Sequence, residues 1–313
     1  MLFLNTTIYG LKLGLCYAVA ALGMYIAYSI LDFPDLTTDG SFPLGGVIST
    51  VVLYRLGFPP LLALAVAFIV GALMGALTGV LHVKFRISKL LSGIIVMTGL
   101  LSVTLALTIL LTDDGFTVTN FSYVAHNLHG LFNGGNAMMS DGMVLLVLLV
   151  VAVVAKILLD LFFQTKMGFM LTATGNNETL VTSLGKNCGS YKVLGLAIAN
   201  GLVAFSGGLY TQLTMNYDNT SGSGKVVLTL ASVIIGLAVF SKAKHVKPTT
   251  AVIVGALIYS LCLNYFTLVD PNGTYLKIMN AVCFAVILIA NNQIKAVRPR
   301  GGKASKQSEV SGS

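Results

Sequence analysis

Residues 143–163 read MVLLVLLVVAVVAKILLDLFF, an apolar run interrupted only by Lys156 and Asp160. About 20 apolar residues in a row is the length a helix needs to cross the roughly 30 Å hydrocarbon core of a bilayer. Runs of similar character recur along the chain. A barrel strand would alternate apolar and polar residues over about ten positions, and these runs do not alternate. Only 10% of the 313 residues are charged, against roughly 25% in soluble domains, so the apolar surface is too abundant for a core in water. The sequence therefore predicts an all-α polytopic membrane protein.

Nine segments follow: 8–31, 40–56, 59–82, 88–111, 142–163, 191–211, 226–240, 248–267 and 275–292. They predict eight or nine transmembrane helices. The second and seventh are short for spans, which points to broken, tilted or re-entrant pieces. The first is long enough to span and has no small-residue cleavage site behind it, so it reads as a span rather than a cleaved leader. Residues 1–295 form the expected transmembrane domain, and the Gly/Ser/Lys-rich stretch 296–313 reads as a disordered tail.

Charge gives the expected orientation. Fifteen of the 19 basic residues fall on one side of this topology; only Lys12, Arg55, Lys225 and Lys277 fall on the other. Basic residues in short loops stay in the cytosol, which puts the N-terminus outside and the C-terminus inside. The net charge of +8 is then a topology signal, scattered over membrane-flanking loops, and does not suggest nucleic-acid binding. The longest external loop, 112–141, carries Phe116, Phe121, Tyr123, Phe132 and Asn133. These suit either a lid or docking surface, or an ordered loop at headgroup level.

Two polar stretches stand out. LDFPDLTTDGSFPLGG, residues 31–46, places three carboxylates and two prolines where hydropathy would otherwise merge two spans. Pro34 and Pro43 interrupt helical hydrogen bonding, and Thr37, Thr38, Asp39 and Ser41 can cap a restarting helix. It reads either as a tight cytosolic turn or as a broken helix lining a path, with Asp39, Gly40, Ser41 and Phe42 as path residues. The second stretch, TGNNETLVTSLGKNCGS at 174–190, predicts a short cytosolic helix. Asn176 or Asn177 can cap it, Glu178 suits its first turn, Gly185 can end it, and Leu180, Val181 and Leu184 share a face. So short a helix is marginal alone and needs a surface, either its own bundle or a groove on a cytosolic partner.

The spans carry few ionisable residues. Lys156 and Asp160 lie one turn apart and read as a structural pair within snorkelling reach of the cytosol. Gly71, Gly75 and Gly79 fall on one face of the third span, as Gly10 and Gly14 do on the first, the spacing of close helix packing. Cys16, Cys188, Cys262 and Cys283 lack paired spacing and read as buried small hydrophobes. His126 and His129 have no completing ligands, so no metal site is expected. SGSGKV at 221–226 and LGKN at 184–187 lack the full phosphate-loop pattern.

The sequence resembles the membrane permeases of ATP-binding-cassette (ABC) importers of the branched-chain amino acid and ribose type, up to about residue 292. The resemblance rests on residues 3–46, on TGNNETLVTSLGKNCGSYKVLGLAIANGLVAFSGGLY, and on ASVIIGLAVFSKAKHVKPTTAVIVGALIYSL. Gly175, Asn176, Leu184 and Gly185 match the family's coupling motif. Thr172 and Thr174 stand where the family has a basic residue, Leu180 and Val181 replace alanines, and Phe240-Ser241 replaces a Gly-Gly turn. The wording of residues 32–46 is most similar to an amino acid uptake branch, with aromatic amino acids among its substrates.

This resemblance implies an importer permease fold and the transport of an amino acid or similar small polar solute. It implies two cytosolic ATPase subunits docked on residues 175–185, an extracytoplasmic solute-binding protein and a second permease copy. The chain itself would perform no covalent chemistry and hold no cofactor, with ATP and magnesium on the ATPase. The alternative is a gradient-driven secondary transporter or facilitator.

Overall fold

The computed structural model describes residues 2–111, 118–120, 141–242, 246–268 and 275–297. Most of the expected external loop and the tail beyond 297 lie outside them. Helix α1 (Leu2–Met24) continues through a π-helical turn, Tyr25–Ile30, and stops at the break. Then come α2 (Thr38–Tyr54), α3 (Pro60–Val83), α4 (Lys89–Leu111), strand β1 (Val118–Asn120) and α5 (Asp141–Gln164). Two short helices, α6 (Lys166–Asn176) and α7 (Glu178–Ser183), lead to the long α8 (Cys188–Thr214). Strand β2 (Asn216–Asp218), α9 (Lys225–Val239), α10 (Pro248–Phe266) and α11 (Leu276–Val297) complete the order.

All nine expected segments coincide with helices, with ends displaced by a few residues. Among the described residues seven helical stretches are long and apolar enough to cross a bilayer; α2 has 17 residues, and within α11 the apolar stretch is Ile278–Ile289. The chain is thus an all-α membrane bundle. Two elements were not anticipated: α6, and a two-stranded antiparallel ribbon in which Thr119 pairs with Tyr217.

Helices α1 and α8 form the centre. From Cys16 to Leu22, α1 is almost inaccessible, surrounded by α5, α8, α9 and α10. The outer helices turn apolar side chains away from the bundle: Leu146, Leu149, Val153 and Leu158 of α5 are exposed. So large a continuous apolar surface is stable only against lipid.

Backbones approach closely where small residues allow it. Gly71, Gly75 and Gly79 of α3 all face α8, and a methyl group at Gly75 would overlap the carbonyl oxygen of Leu196. Gly10 and Gly14 face α10 at Asn264 and Ser260 in the same manner. Both stripes therefore pack within one subunit.

Ion pairs tie the two ends. Lys12 of α1 meets Asp141 of α5 at 2.6 Å. At the end rich in basic residues, Asp160 accepts from Lys156 at 2.9 Å, Lys247 at 3.1 Å and Thr249 at 2.7 Å, joining α5 to α10. The Lys156–Asp160 pair is structural, as its spacing predicts. Of the cysteines only Cys16 is fully buried; Cys188 and Cys283 are half-buried and Cys262 is exposed, so the expectation of four buried hydrophobes holds for one.

Candidate functional site

The break is shorter than the sequence indicates. Only residues 31–37 leave the helix, and α2 begins at Thr38 and runs through Pro43. Pro43 is the sixth residue of α2, beyond the turn whose N–H groups lack partners, so it removes the bond to the Asp39 carbonyl, and that carbonyl lies against Gly222. Capping also differs from expectation. Thr37 makes no side-chain cap; instead the Asp35 carboxylate accepts from the Thr37 N–H at 2.9 Å, and the Lys89 ammonium holds the Asp32 carbonyl at 2.8 Å.

Asp35 is buried and drives a network between helices. Its second oxygen accepts from Asn200 Nδ2 of α8 at 2.6 Å, and Asn200 Oδ1 accepts from the Ser41 hydroxyl at 2.8 Å. Thr37 and Thr78 share a hydroxyl contact at 2.9 Å, which brings in α3. A buried carboxylate is tolerable when its lone pairs are filled this way.

The second half of the site is a descent of the chain back into the bundle. Helix α8 ends at Met215 in a left-handed turn (φ 51°). The following residues run down the side of α2: Tyr217 lies against Gly46, Gly222 against Asp39 and Pro43. Helix α9 then starts at Lys225, and its 15 residues span only about 22 Å. Its first turn therefore lies inside the bundle, which corrects the assignment of Lys225 to a loop on the far side. Together with the turn before it, the stretch Asn219–Val239 is one of the seven long and apolar enough to cross a bilayer.

Here the starts of α2 and α9 meet. One Asp39 oxygen accepts from the Val226 N–H at 2.8 Å and the other from the Gly224 N–H at 3.4 Å. A carboxylate between two helix N-termini is favoured by both dipoles. The Lys225 ammonium points the other way, into a cage of rings. It lies 4.4 Å from the Tyr17 centroid and 5.1 Å from those of Phe42 and Tyr210, and donates to the Tyr17 hydroxyl at 2.9 Å. Rings within about 6 Å of an ammonium attract it through their quadrupoles. Four helices thus converge on one cation.

Beside Asp39 a cavity of about 490 Å³ opens between α2, α4 and the segment preceding α9. Asp39, Asn219, Thr220 and Ser223 form its polar wall; Met97, Leu101 and Leu105 of α4, with Ser102, form the other. Of the four proposed path residues, Asp39 lines this space. Gly40 packs against Leu100 and Met97, while Ser41 and Phe42 turn into the bundle. Lys225, Asn200 and Tyr210 are the residues that sequence reading missed. The SGSGKV stretch is a local signal for Lys225, although its pattern suggests no more than a fragment of a phosphate loop.

At the basic end, the polar stretch 174–190 divides in two. Gly175 and Asn176 close α6, and Gly175 sits directly on the Ile30 carbonyl, so it packs α6 against the π-helical turn. Asn177 begins α7, its Oδ1 accepting from the Leu180 N–H at 3.1 Å, and Glu178 pairs with Lys192 at 2.7 Å. Gly185 follows with φ 70°, the left-handed stop expected of it. The expected common face does not form: Val181 is buried, while Leu180 (53%) and Leu184 (62%) are exposed. Val181 anchors the helix to its own bundle, and the two leucines remain uncovered.

Comparison with known proteins agrees with this architecture. The chain matches the family described as branched-chain amino acid transport system, permease component, over residues 6–291. It is 38% identical over 278 residues to a tyrosine transport system permease protein of Clostridioides difficile, covering 89% of this chain and 88% of that one. An uncharacterized protein of Rickettsia prowazekii is 28% identical over 296 residues, 93% of this chain and 99% of its own. The ribose import permease of Escherichia coli K12 is 24% identical over 277 residues, 88% and 82% of the two chains. No solved structure matches. The chain belongs to the permease family of branched-chain amino acid and ribose-type ABC importers, and it is a multi-pass membrane permease component.

Proposed function

We propose that the protein is the translocating subunit of an importer for a free amino acid, an aromatic one such as tyrosine, and that it pairs with a second copy of itself. The C-terminus and the α6–α7 corner face the cytosol and the N-terminus faces outward, as the distribution of basic residues requires. Two ATPase subunits dock on the α7 corners of the dimer, and an extracytoplasmic binding protein delivers substrate. ATP and magnesium reside on the ATPases; this chain holds neither and catalyses no reaction. ATP-driven approach of the ATPases rocks the docked corners and alternates access.

The observation that carries this reading is the exposure of Leu180 and Leu184 on a helix held in place by Val181 and the Glu178–Lys192 pair. A rigid corner with uncovered apolar side chains at the polar end of a membrane bundle suits a groove on a soluble partner. The amino acid assignment draws on the tyrosine permease relative. The test is purification from the native membrane followed by reconstitution. An ATPase and a second permease copy should co-purify, and vesicles should take up tyrosine only with ATP and the binding protein. A monomer transporting without ATP overturns the reading.

A further inference from the structure

The cavity beside Asp39 has two chemically different walls, and their arrangement specifies a ligand. A carboxylate has about four lone-pair positions. The Asp39 carboxylate gives one position to the Val226 N–H at 2.8 Å and one, weakly, to the Gly224 N–H at 3.4 Å, and the Lys225 backbone N–H also reaches it. Those bonds fix its orientation and leave acceptor capacity toward the cavity that it lines. A nearby hydroxyl adds a polar partner: Ser223, just before α9, lines the same space. Opposite stands an apolar strip in which Met97, Leu101 and Leu105 follow one another at helical spacing on α4. The volume of about 490 Å³ lies within the roughly 300–1,000 Å³ of small-molecule sites.

We propose that this cavity is a transit site for a free amino acid with a large apolar or aromatic side chain. The substrate's primary ammonium group binds the Asp39 carboxylate, and its side chain lies against Met97, Leu101 and Leu105. This rests on the importer reading above and adds the recognised group and the residue that recognises it. Sugars lack the cation, and carboxylic acids without an amine would be repelled by Asp39. The Lys225 ammonium is turned into its ring cage and donates to the Tyr17 hydroxyl rather than to Asp39.

The test uses the full chain in lipid nanodiscs with Ser102→Cys on the α4 wall, away from the hydrogen bonds of Asp39. Modification at position 102 by a small water-soluble thiol reagent is followed by peptide mass spectrometry, which separates it from the native cysteines. L-tyrosine should slow modification several-fold, whereas 3-(4-hydroxyphenyl)propionate, identical but for the amine, should leave the rate unchanged. Adding Asp39→Asn should remove the protection. Should that double variant fail to fold, the comparison of the two ligands with Asp39 intact still decides. Equal protection by both ligands, or protection by neither, overturns the proposal. Uptake by the complete wild-type transporter is measured alongside. If it carries tyrosine while position 102 stays unprotected, only the transit site falls; if it carries no amino acid, the substrate reading falls and this site with it.

Discussion

Asp35 and Asn200 lie 165 positions apart in the chain and 2.6 Å apart in the fold. Through Asn200 the carboxylate is linked to Ser41, so one amide joins the break, the start of α2 and the middle of α8. Asn200→Leu keeps the volume but strands both partners. Each buried group left without a hydrogen bond costs about 1–3 kcal/mol. The thermal midpoint in detergent should fall clearly in this variant, and less in Asp35→Asn, which removes the charge and keeps most of the shape. Equal midpoints for wild type and Asn200→Leu would show that the network carries no stability.

Gly75 and Gly99 form a matched pair for testing helix approach. A side chain at Gly75 meets the α8 backbone, whereas one at Gly99 meets nothing within 4 Å. Gly75→Leu should force α3 from α8 and cost at least the about 1–3 kcal/mol typical of overpacking. Gly99→Leu faces open space on α4 and should be nearly silent. Thermal unfolding and yield of monodisperse protein report the difference.

The Lys225 cage makes a different prediction. Desolvation of an ammonium opposes folding, and its ring contacts return about 2 kcal/mol or more when desolvated. The two effects offset, so Lys225→Met should unfold within a few degrees of wild type. Transport should nevertheless drop, because the cation is what draws α1, α2 and α8 onto the first turn of α9. A variant with normal uptake would reduce the cage to packing alone.

At the docking corner, Leu184→Asp places a charge on an exposed side chain, so the bundle should fold normally. In the reconstituted complex, ATP-driven uptake should fall about tenfold or more, each factor of ten corresponding to about 1.4 kcal/mol of lost interaction. Val181→Asp, at the buried position, should instead damage stability. Unaltered uptake in Leu184→Asp would remove α7 from the docking surface.

Much of the bundle was legible because bilayer crossing imposes one strong pattern. Long apolar runs gave every major helix, and glycine spacing gave the α3–α8 and α1–α10 contacts in kind, although not their partners. What failed was depth. Lys225 read as a loop residue because a helix of 15 residues looks like a full span with a short end, and only the path of residues 215–224 along α2 reveals that it starts inside the bundle. Asn200 gave no signal, since a single amide in a small-residue helix acquires meaning from what faces it. The polar stretch at 174–190 was recognised, but propensity could not divide it between α6 and α7 or tell Val181 from its exposed neighbours.

The seat of Gly175 on the Ile30 carbonyl has a mechanical corollary. Side chains cushion most helix contacts, since a rotamer can swing and absorb a small displacement. Between these two backbones there is only hydrogen, so no compliant element separates the corner bearing α7 from the turn leading to Asp35. A push at Leu184 that tilts α6 must move Ile30 with it, and only residues 31–38 separate Ile30 from Asp39. On the docking and transit readings proposed above, the two sites are linked through this backbone contact, and adding even one methyl at Gly175 would force α6 away from Ile30.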